Sequence, residues 1–421
     1  MCSSTWRFLV MRLYKCLLLV AILMALNYGC ANDFHNRKLM AEINNPNANH
    51  PPYLEAIRYK YYNGDVENKD YILVPELYRK AVEENDMRAQ FTLGYFYSRG
   101  HIVRRNLEES FRWYKKAAEQ GDAEAQIALG FIYLSGQGIR ENPVKAFQWY
   151  QKAADQGHAR AQNRLGFFYH DGIGVKKDLK KSAKWHKKAA GQGNANAQFS
   201  LGELYYRGDG VIEDKVEAAK WFRKAGEQGR ANAQFSLGEM YYRGDGVIED
   251  KVEALNWYRK AAERSYGLAE IELGRMYYFG DGVGEDKVEA VKWYIRTADR
   301  GHVLTQYKLG VMYQDGDGVQ EDKVKAAIWF RRAAEQGHPE SQYILGCMFH
   351  NGVGISEDLV EAYKWLSLAV MNDEPNAKAS LDELFEKISP SQIEAGEHKV
   401  QVFLRWKHNA EIRQNKSRNY R

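Results

Sequence analysis

Apolar residues along most of this chain fall into two alternating helical stripes, and the pair of stripes recurs every 36 residues. In Asn194–Gly229, Ala197, Leu201, Leu204 and Tyr205 stand at i, i+4, i+7 and i+8, one face of an α-helix. Gly208 follows the stripe and suits a left-handed C-terminal position. The stretch from Gly208 to Asp214 carries two glycines and no stripe, so it is expected to be a loop. Asp214 can cap a second helix by accepting a backbone N–H, and Glu217, three residues on, matches a capping box. Ala218, Trp221, Phe222 and Ala225 form the second stripe, which ends at Gly229. The unit is predicted to be a helical hairpin.

The hairpin recurs without insertion or deletion. Leu-Gly returns at Leu93-Gly94 and every 36 residues to Leu345-Gly346, and tryptophan from Trp113 to Trp365. The second-helix cap is Asn or Asp throughout: Asn106, Asn142, Asp178, Asp214, Asp250, Asp286, Asp322 and Asp358. Gly202 and its equivalents sit inside a helix, where glycine costs about 1 kcal/mol relative to alanine. A recurring cost implies a recurring use, here the close approach of another helix. The tryptophans keep strict step on the second apolar stripe and are expected in the core. A fixed period of this length signals a stacked array, which presents a long surface rather than a cleft.

These residues carry a family resemblance. Gln126-Ile127-Ala128-Leu129-Gly130 and Trp149-Tyr150-Gln151-Lys152-Ala153-Ala154 resemble the Sel1-like repeat, a relative of the tetratricopeptide repeat. The resemblance covers eight units over 86–373 and implies an all-α solenoid, a right-handed superhelix of helical hairpins with a concave face. A degenerate unit, 53–85, precedes them: Ile57, Gly64 and Leu77 stand 36 before Leu93, Gly100 and Trp113. Two units, Asn194–Gly229 and Arg230–Ser265, differ at 8 of 36 positions, a mark of copying.

The ends differ from the repeats. Arg12 and Lys15 precede the apolar run Leu17–Leu26, which is too short to span a bilayer and suits a secretory signal over 1–30. Cys30, after Gly29, matches a lipoprotein cleavage site, and cleavage after Ala31 is the competing reading. Residues 31–52 are rich in Asn and Pro and are expected to be a flexible linker. At the other end, 374–406 is expected to supply capping helices, one over Ala377–Ile388 and one from about Gln392 to Trp406. The basic tail 407–421 is expected to be solvated.

Composition narrows the function classes. The formal charge is +5, and Arg7, Arg12 and Lys15 account for +3 of it, leaving +2 for residues 31–421. That balance, with no phosphate-binding or zinc-finger motif, excludes a nucleic-acid partner. Cys347 is the one cysteine within the repeats, which excludes the Sel1-like type with a disulfide in every unit. No catalytic, metal or cofactor constellation stands apart from the repeat pattern. His158, His302 and His338 share a helix-start position, and Asp315-Gly316-Asp317-Gly318 reads as the ordinary interhelix loop. Arg207-Gly208-Asp209 and Arg243-Gly244-Asp245 spell an adhesion tripeptide that the repeat pattern itself accounts for.

The repeats disagree on one face of the first helix. There the sequence offers Tyr95, Phe131 and Phe167, then Tyr206, Tyr242 and Tyr278 one helical turn along in later units. These six are the candidate partner-binding residues. The resemblance implies a scaffold or adaptor that binds proteins or peptides, exported to the periplasm, anchored at the outer membrane through lipidated Cys30, or secreted. The alternatives are an immunity protein that neutralises an envelope-targeting toxin and an endoplasmic reticulum adaptor of Sel1 type.

Overall fold

The computed structural model describes residues 85–100 and 103–419. The expected signal with Cys30, the linker 31–52 and the degenerate unit, save Asn85, lie outside the described residues. Those described form eighteen α-helices and no strand. Sixteen helices pair into eight hairpins: α1 (Met87–Arg99) with α2 (Leu107–Glu119), α3 (Ala123–Ser135) with α4 (Pro143–Asp155), α5 (Ala159–Asp171) with α6 (Leu179–Gly191), α7 (Ala195–Arg207) with α8 (Lys215–Glu227), α9 (Ala231–Arg243) with α10 (Lys251–Glu263), α11 (Gly267–Phe279) with α12 (Lys287–Asp299), α13 (Val303–Asp315) with α14 (Lys323–Glu335), and α15 (Pro339–Asn351) with α16 (Leu359–Met371). α17 (Ala377–Phe385) and α18 (Pro390–Asn419) follow. One compact unit runs to Ala161 and includes Ile173–Val175; a second holds Gln162–Gly172 and the chain from Lys176.

Each hairpin is closed by a glycine notch and an aromatic knob. A Cβ on Gly202 would lie 2.7 Å from the Phe222 ring, so only glycine lets the two helices meet there. Tyr114, Tyr150, His186, Phe222, Tyr258, Tyr294, Phe330 and Leu366 fill the eight knob positions, all buried. The close approach expected at the recurring glycine is therefore made by the residue after the tryptophan.

The tryptophans need a correction. Trp257 and Trp365 are buried, whereas Trp113, Trp149, Trp185, Trp221, Trp293 and Trp329 are half-buried. One residue is about 100° of helix, so the knob faces its own hairpin partner and the tryptophan faces sideways. Trp293 packs against a buried cluster that includes Tyr258 and Ala262 of the hairpin before and Leu273 of its own, which joins the two hairpins. Its outer side is covered by a cation three residues on, as Lys224 covers Trp221 at 4.1 Å.

The loop geometry corrects the capping box. Asp214 accepts from Glu217 N at 2.9 Å, as expected. Its own N–H donates to Tyr205 O at 2.9 Å, an orphan carbonyl of the first helix. That leaves nothing for Glu217 to cap, and its carboxylate takes Lys220 instead. Gly210 has φ 74°. A Cβ there would strike the backbone of Leu179, so the loop seats on the start of the preceding second helix.

A glutamine pair within each of several hairpins also reaches the hairpin before. Gln228 Nε2 donates to Gln198 Oε1 at 2.7 Å, and Gln198 Nε2 to Ala190 O at 3.3 Å. At the C-terminal end, α18 packs Phe403 against Trp365 with centroids 5.6 Å apart. α17 ends before Ser389-Pro390, and Pro390 opens α18, where its missing N–H costs nothing. No glycine or proline follows Gly396, and the helix runs to Asn419, past the Trp406 boundary expected from the sequence.

Candidate functional site

The variable face of the first helices is partly open. In the first unit, α1 presents Tyr95, half-buried, with Arg99 Cζ 5.9 Å above its ring. α3 presents Phe131, which is 45% exposed and so offers a bare aromatic surface. In the second unit, Phe167 stands edge-on to the His186 knob at 4.9 Å and is tied to its hairpin core.

Tyr206, Tyr242 and Tyr278 share one arrangement, which ties successive hairpins. Tyr206 Oη donates to Asp245 Oδ2 of the next hairpin at 3.0 Å, and Lys215 Nζ reaches Asp245 Oδ1 at 2.8 Å. Tyr242 and Lys251 hold Asp281 at 2.5 and 2.9 Å; Tyr278 and Lys287 hold Asp317 at 2.5 and 2.8 Å. The Lys215 ammonium bonded to Asp245 keeps that carboxyl below its usual range, and Tyr206 adds to this. The three hydroxyls are thus engaged within the array, and cations stand over the rings. Arg275 lies 4.8 Å from the Tyr242 ring and Lys308 4.4 Å from the Tyr278 ring.

The charged residues of this face also reach the knobs. Tyr258 Oη donates to Glu239 at 2.5 Å, and Lys308 Nζ donates to Tyr294 Oη at 2.8 Å. Burial pushes the Lys308 ammonium down, and Arg275 pushes the same way. Neither the aspartate bridges nor these bonds were read from the sequence. Their signal was present as Tyr, Lys and Asp recurring at one period across 206–317.

Other sequence features take ordinary places. Asp245 of the second adhesion tripeptide is held by Lys215 and Tyr206. Asp317 of the acidic loop is likewise held by Tyr278 and Lys287. His302 and His338 accept from Thr305 N and Ser341 N at 3.3 Å each, as helix-start residues do. Among the described residues, no group of three or more His, Cys, Asp or Glu could hold a metal ion. No helix among them is long and apolar enough to cross a membrane.

Paired helices, a glycine notch and a uniform period define an α/α repeat solenoid. The chain belongs to the Sel1 repeat family, whose model matches residues 88–122, 123–158, 159–194, 195–229, 231–266, 267–302, 303–338 and 339–373. It is similar to a Sel1 repeat protein from Oxalobacter formigenes, at 33% identity over 80% of this chain and 95% of that one, with a TM-score of 0.60. It also matches a protective antigen of uropathogenic Escherichia coli with an SLR fold, at 28% identity over 86% of this chain and 93% of that one, TM-score 0.46. No curated protein gave a match.

Proposed function

We propose that this chain is an exported scaffold that binds other proteins at the bacterial cell envelope through the first-helix face. One observation carries the binding reading. Core, cap and loop positions repeat almost unchanged, while one face varies and leaves Phe131 45% exposed. Large aromatics on an open surface supply contact area at low entropic cost. Membership of a repeat family that serves as interaction scaffold supports the same reading. Export rests on Arg12, Lys15 and the run Leu17–Leu26, and anchoring on Cys30. The test is fractionation with palmitate labelling, followed by affinity capture from envelope extracts. A lipidated chain partitions with membranes and loses its label in Cys30→Ser. Several acyl chains make such attachment firm. A soluble periplasmic chain would remove the anchor alone. A cytoplasmic chain that captures partners would remove export and leave the scaffold.

A further inference from the structure

Residues 159–194 hold nine Lys/Arg and two Asp, a net charge of +7 against +5 for the whole chain. The rest of the chain therefore carries −2. Five of these lysines, Lys180, Lys181, Lys184, Lys187 and Lys188, lie on α6, and all are exposed. At 3.6 residues per turn they fall within roughly a third of the helix circumference.

Three other second helices pair a cation with a glutamate of their own first turn. Lys220 pairs with Glu217 at 3.0 Å, Lys292 with Glu289 at 2.8 Å, and Arg112 with Glu109 at 2.9 Å. α6 has Lys181 at the place of those glutamates. Asp178, at 3.6 Å from Lys181, is the carboxylate that reaches this set; among the described residues, Lys180, Lys184 and Lys187 have none within 4.0 Å. The concentration of charge in one hairpin thus coincides with the loss of its internal counter-charge.

We infer that this face of α6 docks an extended acidic segment of a partner polypeptide, an inference that rests on the scaffold reading above. Lys180, Lys184 and Lys188 follow one another at about 6 Å along the helix axis. An extended chain places alternate side chains on one side at about 6.6 Å, so a segment with Glu or Asp at every second position meets them nearly in step. The long, flexible lysine stems absorb the small mismatch. A membrane fits less well. The large apolar side chains exposed on the described residues skip from Val144 to Ile212, so nothing on this face can insert.

The test is fluorescence anisotropy of the full chain with a labelled peptide of about ten residues alternating Glu and Ser. Lys180→Glu with Lys184→Glu and Lys187→Glu is expected to weaken binding at least ~10-fold. Rising salt is expected to weaken the wild type in the same direction. The control, Lys220→Gln with Lys292→Gln, removes equally exposed but paired lysines and is expected to leave binding unchanged. Equal binding by the charge-reversed chain, no binding by the wild type, or binding only to phosphatidylglycerol vesicles would each overturn the inference. An unchanged far-UV spectrum and melting profile guard against misfolding. Partner capture through Phe131 is scored separately, so failure of the α6 site and failure of the scaffold reading give different results.

Discussion

Arg300 donates to the carboxylate of Glu270, thirty residues earlier, which is fully buried. Arg296 Nε lies 3.2 Å from the other oxygen. In five other hairpins the same two places hold glutamines, as Gln336 to Gln306 at 2.8 Å. Gln306 also donates to Ala298 O. A glutamate cannot donate, and at this hairpin Arg296 reaches the equivalent Ala262 O at 3.5 Å instead. Arg296 and Arg300 thus both turn to the one buried carboxylate.

Breaking that junction from one side leaves the buried carboxylate to Arg296 alone. Arg300→Ala is expected to destabilise the chain by about 1–3 kcal/mol. Glu270→Gln with Arg300→Gln recreates the neutral pair and is expected to stay within about 1 kcal/mol of wild type. Urea unfolding followed by circular dichroism distinguishes the two.

The knob and the tryptophan beside it should separate in the same assay. Phe222→Ala empties a fully enclosed place and is expected to cost about 3–5 kcal/mol. Trp221→Ala removes a half-buried ring and is expected to cost less. Gly202→Ala pushes a methyl into Phe222 and is expected to cost about 1–3 kcal/mol. A larger loss from Trp221→Ala than from Phe222→Ala would return the core to the tryptophans.

The third hairpin should weaken in acid. Its knob is His186, with Asn163 Oδ1 2.9 Å from Nδ1, where other hairpins pair two rings, as Phe199 with Phe222. Burial pushes the His186 imidazole down to about 4 from 6.5, and His170 opposes its protonation further. The folded value lies below the unfolded one, so the unfolded chain takes the proton first. Stability is then full above pH 6.5 and falls between pH 6.5 and about 4, by at most about 3 kcal/mol. His186→Phe is expected to flatten that stretch of the stability–pH curve. A wild-type curve with no slope there would contradict the burial argument.

The two tripeptide aspartates should differ as well. Asp245 bridges two hairpins through Tyr206 and Lys215, and Asp245→Ala is expected to lower stability by about 1 kcal/mol, the loss shrinking in high salt. Asp209→Ala makes the same change in the neighbouring copy, where no such bridge forms, and serves as the reference in thermal melts.

Much of the fold was legible because its signals are local. The caps Asn106 to Asp358 each accept a backbone N–H, and the glycine after the first helix is left-handed, as at Gly208. What escaped the sequence was tertiary. Trp221 and Phe222 both lie on the apolar stripe, and only the Gly202 notch decides which one faces inward. Glu217 had the spacing of a capping box, but Tyr205 O had already taken the amide it would have capped. The candidate face is legible as a stripe on which the repeats disagree, yet its tyrosines could not be told from inter-hairpin bridges without seeing Asp245, Asp281 and Asp317 arrive from the next unit. Lys181 and His186 were visible as departures from the period, and their meaning depends on neighbours that the period does not name.

Quantitative partner capture from envelope extracts, by wild type and by Tyr95→Ser with Phe131→Ser, bears most directly on the scaffold reading. Phe167 is left intact because it packs on the His186 knob. The expected result is specific proteins retained by the wild type and at least tenfold less by the double variant, about 1.4 kcal/mol, with unchanged helicity and melting. Equal capture by a folded double variant, or no specific protein captured by the wild type, would contradict it.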